Sequence, residues 1–383
     1  MSPGTRRRYR HAGLKAGEIQ RPVPEEFAEY LPGVLGSWLG RHFLEMEIEM
    51  TNNSAAPVHL GDGLRVSPLG FGGMALTPVY GEVDPAEALR TLRHAVDAGI
   101  TFIDTADIYG GGSNEELIAK LLKDRRGDVQ LATKFSLVGS PAAGYTDVRG
   151  DAAYVKEAVD RSLRRLGTDV IDLYYMHRRD VRVPISETVG AMAELVQAGK
   201  VRHLGLSEVT ASELRDAAAI HPIAAVQSEW SIWSRDVEQN VVPAAAELGV
   251  GFVPYSPLGR GFLTGTVDAS KLGDNDFRRN IPRFSEGALD ANEAVVEAVR
   301  SVAAELEATP AQVALAWLLA HGRRLGLPVV PIPGTRKAHR IDENLGALSL
   351  ELSAAQLDVL DGAADAVVGS RSADPRWVSQ GRE

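Results

Sequence analysis

The chain contains no cysteine. That absence excludes disulfide scaffolds, Cys-ligated zinc, iron–sulfur clusters and thiol nucleophiles. No apolar run approaches the ~18 residues that a membrane-spanning helix needs. Positive charge is in deficit: 41 basic against 51 acidic residues give a net charge of −10. A general binder of nucleic acid or of an anionic membrane is therefore not expected. What is present is ordinary for a globular protein: 44% of the 383 residues are apolar, with 38 Gly and 20 Pro. The length allows one large α/β barrel or two medium domains.

Charge is unevenly spread. Residues 1–21 hold Arg6, Arg7, Arg8, Arg10, Lys15 and Arg21 against Glu18, and residues 22–49 hold Arg41 against six glutamates. The remaining 334 residues carry the whole −10. The first 49 residues show no sustained period of 2 or 3.6. Arg6-Arg7-Arg8 suggests a twin-arginine signal, but Pro32, three glycines and Arg41 break the apolar stretch that should follow. Residues 1–49 read as a disordered extension or as the product of an upstream start, with Met50 the natural one. Residues 50–383 then form the folded domain, and a cytoplasmic protein is expected.

From about residue 58 a regular rhythm begins. Val58–Leu60 and Leu64–Val66 flank Gly61-Asp62-Gly63 and predict a hairpin. Eight strand candidates then alternate with amphipathic helices: Leu69–Gly72, Ile100–Ile103, Val129–Ala132, Val170–Tyr175, His203–Leu206, Ala224–Val226, Val250–Val253 and Val329–Ile332. Capping boxes at Thr210/Glu213, Thr309/Gln312 and Ser353/Gln356 mark helix starts, and Pro310 suits a first helical position. Eight βα units favour a (β/α)8 barrel with an N-terminal hairpin over an open doubly wound sheet. Gly70-Phe71-Gly72-Gly73-Met74-Ala75 nominally matches a dinucleotide fingerprint. Pro78 and Gly81 follow it where a helix should start, so the Rossmann reading is weak.

Barrel chemistry sits at the carboxyl ends of the strands. There the chain places Asp104 and Tyr109, Lys134, His177, Ser207, Gln227, Tyr255 and Gly334-Thr335-Arg336. Singly, each has a structural explanation: a solvated lysine, a loop histidine, a tyrosine anchoring the Gly110-Gly111-Gly112 turn. Together they converge on one mouth. A free tyrosine has a pKa near ~10, too high for efficient proton donation at neutral pH. A neighbouring ammonium stabilises the phenolate, and a carboxylate keeps that ammonium charged. The set lacks a nucleophile beside a base and lacks a metal cage. Carbonyl reduction with hydride from a cofactor fits it. After strand eight, Arg336 and Arg340 beside a helix N-terminus suit a 2′-phosphate, and Glu343 and Asn344 suit an adenine amino group. The alternative there is a solvated basic helix face.

Gly99–Gly110, Ala132-Thr133-Lys134, Asp172–Arg178, Gly199–Ser207, Pro254–Gly259 and Pro331–Thr335 resemble, in order, the motifs of the aldo-keto reductase superfamily. Val226–Arg235 and Phe277–Phe284 look like its microbial and plant branch, which includes perakine reductase-like enzymes. The resemblance runs from about residue 58 to 350. It implies NADPH-dependent reduction of a small-molecule aldehyde or ketone. Tyr109 would be the general acid, Lys134 with Asp104 would lower its pKa, and His177 would polarise the carbonyl. Ser207 and Gln227 would hold the nicotinamide amide and Tyr255 would stack on the ring. Ser256, Leu258, Gly259, Gly334, Thr335, Arg336, Arg340, Glu343 and Asn344 would complete the cofactor site, with NADPH preferred over NADH.

Met74, Leu76, Tyr80, Ile108, Trp230, Trp233 and Phe284 are expected to line a substrate pocket suited to aromatic or bulky aldehydes. Arg260 and Arg278 are candidates for an anionic substituent. This chain departs from the family at Glu208, where many members carry asparagine, and at Met176, where glutamine is common nearby. Its tail after Val368 follows no family pattern. Potassium-channel β subunits share the fold, so a non-catalytic NADP(H)-binding subunit is the alternative function. A barrel metallohydrolase would need a His-x-His after strand one, and Leu69–Met74 has none.

Overall fold

The computed structural model describes residues 56–140, 144–268, 271–274 and 276–383. The expected extension at residues 1–49 lies outside the described residues. The hairpin forms as β1 (Val58–Leu60) and β2 (Leu64–Val66), with His59 opposite Arg65. Gly61 turns it at φ 36°, and a Cβ there would sit 2.5 Å from the Ala224 carbonyl oxygen. That close approach presses Leu60, Leu64 and Val66 onto the bottom of the barrel, where they are buried with Phe102, Ala132, Leu173 and Val253.

The barrel strands begin with β3 (Phe71–Gly72), β4 (Phe102–Asp104) and β5 (Gln130–Phe135). An antiparallel ribbon, β6 (Leu137–Ser140) with β7 (Gly144–Val148), follows and stands outside the main sheet. The main sheet continues with β8 (Ile171–Met176), β9 (Val201–Ser207), β10 (Ala225–Glu229) and β11 (Gly251–Tyr255), all parallel in spatial order. Segment 328–333 closes it. Phe252 N–H donates to Pro328 O at 2.8 Å and Val330 N–H to Phe252 O at 2.9 Å on one side. Gly70 N–H donates to Pro331 O at 2.9 Å and Gly72 N–H to Pro333 O at 3.3 Å on the other. Pro331 and Pro333 have no N–H to return, so this eighth strand pairs with β3 as an acceptor only.

Ten helices cover the sheet among the described residues: α1 (Pro85–Asp97), α2 (Ser113–Arg125), α3 (Ala152–Leu166), α4 (Ile185–Gln197), α5 (Ala211–Ala218), α6 (Val241–Leu248), α7 (Glu286–Glu305), α8 (Pro310–Leu325), α9 (Ala338–Leu345) and α10 (Ala354–Ala363). The three capping boxes form at the starts of α5, α8 and α10, with Pro310 at the first turn of α8. None of these helices is long and apolar enough to cross a membrane.

Side chains alternate along each strand, and this period positions the site. Phe102, Ala132, Tyr175, Ala225 and Val253 belong to the barrel interior, while Ile103, Leu131, Tyr174, Val226 and Phe252 pack outward under the helices. Two residues beyond each inward position come Asp104, Lys134, His177, Gln227 and Tyr255. Ser207 stands in the same relation to Gly205. The polar residues are therefore the top layer of the interior. Most strands also run one to three residues further than their apolar runs suggest, so Asp104, Lys134, Ser207, Gln227 and Tyr255 lie inside strands rather than after them. A backbone ladder continues through polar side chains as long as those side chains find partners.

Candidate active site

Lys134 is fully buried, and its ammonium donates to Asp104 Oδ1 at 2.5 Å and to the Thr105 carbonyl at 2.7 Å. Gln227 Nε2 donates to the other oxygen, Oδ2, at 2.9 Å. Burial drives the Lys134 ammonium below its ordinary pKa; Asp104 opposes this and the charge of Arg178 adds to it. Burial likewise raises the Asp104 carboxyl against the pull of Lys134. Each group offsets part of the other's desolvation cost.

Tyr109 is half-buried above this pair, with Lys134 Nζ 5.1 Å from its ring centroid. Its own position comes from the chain that follows. Gly110, Gly111 and Gly112 take φ of 58°, 66° and 101°, a left-handed run that only glycines adopt readily, and this turn feeds directly into α2. His177 meets Tyr109 edge-on, at 5.8 Å between ring centroids and 81° between planes. Burial, with Arg178 and Lys134 nearby, pushes the His177 imidazolium well below its ordinary pKa, so the ring is neutral. Its Nδ1 is buried and has no hydrogen-bond partner among the described residues.

A cavity of about 1380 Å³ opens at this point and continues along the barrel mouth to α9. That exceeds the ~300–1,000 Å³ common for a single small-molecule site. Asp104, Tyr109, His177, Gln227, Tyr255, Ser256, Leu258, Gly334, Thr335, Arg336, Arg340, Glu343 and Asn344 all line it, as does Met74. Ser207 and Gly259 are buried just behind the lining. Ser136, Glu208 and Ser256 each follow a strand and take φ of 100°, 51° and 49°. Such left-handed non-glycine residues cost on the order of 1–3 kcal/mol each and gather where ligands are clamped.

The residues fit a nicotinamide dinucleotide. Helix α9 starts without a side-chain cap, and Lys337, His339 and Arg340 of its start line the cavity. A Cβ at Gly334 would lie 2.6 Å from the Gly72 carbonyl oxygen, so the chain there is pressed close between strands. The two arginines expected for a phosphate have different surroundings. Arg336 donates to the carbonyls of Tyr80, Gly81 and Glu82 and pins that loop. Arg340 is exposed and has no ion-pair partner among the described residues.

Several expected pocket residues are elsewhere. Trp230 is fully buried against Phe252 and Trp317, and its indole N–H donates to Glu238 at 2.7 Å. It stands at an odd offset from the inward-facing Gln227, which sends it into the helix layer. Trp233 stacks on Phe262 and meets Phe284 edge-on, so both are core residues too. Arg260 and Arg278 do line the cavity, Arg260 paired with Glu229 and Arg278 with Asp276. The wall beside Tyr109 is built instead by Leu137 of the β6–β7 ribbon and by Trp377 of the tail. Neither carried a periodic or motif signal.

The tail reaches the mouth through Arg371. Its guanidinium is buried and grips the Glu208 carboxylate with both Nη atoms, at 2.9 and 3.0 Å. Glu208 thus faces the tail rather than the cavity.

The Aldo/keto reductase family matches residues 68–365. The chain is 46% identical to probable aldo-keto reductase 1 of Glycine max over 309 residues, which cover 79% of this chain and 87% of that protein. Among solved structures it resembles the glycerol dehydrogenase of Gluconobacter oxydans, with a TM-score of 0.73 at 25% identity over 82% of this chain and 96% of the other. A Bacillus halodurans aldo-keto reductase in its holo form gives a TM-score of 0.66 at 28% identity, covering 83% and 99%. A thermostable aldo-keto reductase in complex with the inhibitor epalrestat gives 0.64 at 30%, covering 81% and 100%. The chain belongs to the aldo/keto reductase family.

Proposed function

We propose that the protein reduces an aldehyde or ketone to the corresponding alcohol with NADPH, using Tyr109 as the general acid. The observation that carries this reading is the buried Lys134–Asp104 pair directly beneath Tyr109, at the inner end of a cavity that also reaches α9. The bound cofactor supplies hydride to the carbonyl carbon. This chain supplies the proton and the orientation. Tyr109 and the neutral His177 hold the carbonyl oxygen, and Tyr109 gives up its phenolic proton as negative charge develops there. The Lys134 ammonium stabilises the phenolate left behind, which makes that proton easier to lose. One hydride and one proton complete the alcohol, and Tyr109 recovers its proton from water.

On the cofactor side, Gln227 spends its amide N–H on Asp104, which leaves its carbonyl oxygen for the nicotinamide amide. Tyr255 provides the shelf for the ring. Arg340 and the uncapped start of α9 take the 2′-phosphate, with Glu343 and Asn344 near the adenine. Met74, Leu137 and Trp377 suit a carbonyl compound with an apolar or aromatic substituent.

Tyr109→Phe tests the assignment. The variant is expected to bind NADPH, read by fluorescence titration, and to lose about 10²–10⁴-fold in aldehyde reduction. Turnover at the wild-type rate overturns the acid role. Wild-type protein that binds NADPH yet reduces no member of a carbonyl panel points to the non-catalytic subunit instead.

A further inference from the structure

The tail beyond Val368 is tied into the barrel mouth by more than one contact. Glu208 accepts five hydrogen bonds. Tyr255 hydroxyl (2.9 Å), Arg371 Nη1 (2.9 Å) and Glu229 N–H (3.1 Å) reach Oε1; Arg371 Nη2 and the Ser379 N–H, both at 3.0 Å, reach Oε2. Arg371 also spans to Asp236, with Nη2 2.8 Å from Oδ2. Arg382 pairs with Glu213 at 3.1 Å, and Glu383 accepts from the Ala211 N–H at 2.9 Å. Between these anchors Trp377 packs against the buried cluster of Ala106, Ile108 and Leu137, as Tyr109 does. Two regions of the site therefore share one support. Glu208 follows Ser207 directly and holds the Tyr255 phenol, while a few residues along the tail Trp377 lines the same cavity and packs against the same cluster as Tyr109.

We propose that Arg371 is a positioning residue: through Glu208 it fixes the Tyr255 shelf, and through the tail it fixes the Trp377 wall, so that the hold on the nicotinamide and the shape of the carbonyl site depend on each other. This rests on the reading that the nicotinamide lies along Ser207, Gln227 and Tyr255. The physical reason is the burial of Glu208. With Arg371 in place its carboxylate has a fork of two donors and stays ionised. Without Arg371 a charge is left in the interior, and it must either take up a proton or leave its place. Either response disturbs the acceptor that Tyr255 uses. The charged and titratable groups facing Glu208 are Arg371, Arg178, Asp236 and Tyr255.

The test compares full-length wild type with Arg371→Met and Arg371→Lys. It measures NADPH binding by fluorescence at pH 6 and pH 8, KM and kcat for small and bulky aldehydes, and amide hydrogen exchange. For Arg371→Met, NADPH binding is expected to weaken on the order of tenfold to a hundredfold, more at pH 8 than at pH 6. Wild type should show no such pH difference in that range. KM for the bulky aldehyde should rise, and exchange should quicken in β11 together with residues 371–383. Arg371→Lys should restore part of the binding.

Wild-type NADPH affinity and KM in Arg371→Met, with faster exchange confined to the tail, overturn the proposal. If Arg371→Met does not fold, Arg371→Lys decides by the same criteria: weaker binding with faster β11 exchange supports the proposal, and unchanged binding overturns it. If wild type binds no NADPH, the proposed function falls. The exchange data then still decide whether Arg371 holds β11 in place.

Discussion

Two buried ion pairs lie in the same barrel mouth and behave in opposite ways. Lys134–Asp104 joins neighbouring strands β5 and β4, and Glu208–Arg371 joins the end of β9 to the tail, 163 residues away. Both pairs are almost completely shielded from water. Asp104 accepts from Lys134 Nζ and Gln227 Nε2. Burial prevails there, raising the Asp104 carboxyl and lowering the Lys134 ammonium. Glu208 receives five donors. Burial would raise its carboxyl too, but Arg371, Arg178 and the Ser379 N–H hold it down at about 2. The geometry differs in kind as well: a point-charge ammonium faces one oxygen, whereas a planar guanidinium engages both. With both pairs buried, the pair with more donors is the one whose carboxyl is held down.

Removing the cation of the first pair should have the largest effect on rate. Lys134→Met leaves Asp104 without its ammonium and, on the proposed mechanism, Tyr109 without the charge that eases proton loss. Reduction of a test aldehyde is expected to fall about 10²–10⁴-fold, while NADPH affinity changes by less than tenfold. Steady-state kinetics with fluorescence titration checks both. A rate loss under tenfold would mean that the pair is only structural. The expectation for Arg371 is the reverse pattern, with affinity affected first, so the two variants together break or confirm the contrast.

A change remote from both pairs comes next. Arg340→Ala should weaken NADPH by roughly tenfold, about the contribution of one charge-assisted contact, and leave NADH nearly unchanged. Equal losses for the two cofactors, measured side by side, would remove the 2′-phosphate contact.

The smallest effect concerns Asp107, which lies near the first pair and has no partner for its Oδ1 among the described residues. Burial, with repulsion from Glu115, pushes its carboxyl up to about 7 against the pull of Arg165 and Arg161. The folded state therefore binds a proton that the unfolded state releases near pH 4. Stability falls as pH rises from about 4 to about 7, and above that range the charged carboxylate is a standing cost. Asp107→Asn should raise the melting temperature at pH 8 by a few degrees and change it little at pH 4. The same gain at both pH values would show that charge is not the cause.

The sequence announced the barrel because apolar strands and capped helices alternate at short range. The hairpin, the capping boxes and the eight strands are all local patterns. Asp104, Lys134, His177, Ser207, Gln227 and Tyr255 were legible for the same reason: each extends the inward parity of its own strand. Trp230 was misread because its composition suggested a pocket while its parity pointed outward. The bonds of Arg336 to the carbonyls of Tyr80, Gly81 and Glu82 were not legible because no local pattern signals them. The β6–β7 ribbon was missed because its strands fall in a loop-like stretch around Gly139 and Gly144.

Taken alone, the sequence determined the fold, the strand-borne polar layer and the family. These depend on periodicity and on motifs a few residues long. Only the tertiary structure decided which arginine is open to a phosphate, that Glu208 serves the tail, and that Leu137 and Trp377 form the wall beside Tyr109. Those contacts join residues tens to hundreds of positions apart. Burial leaves each buried charge needing a partner, and only folding shows which partner comes within reach.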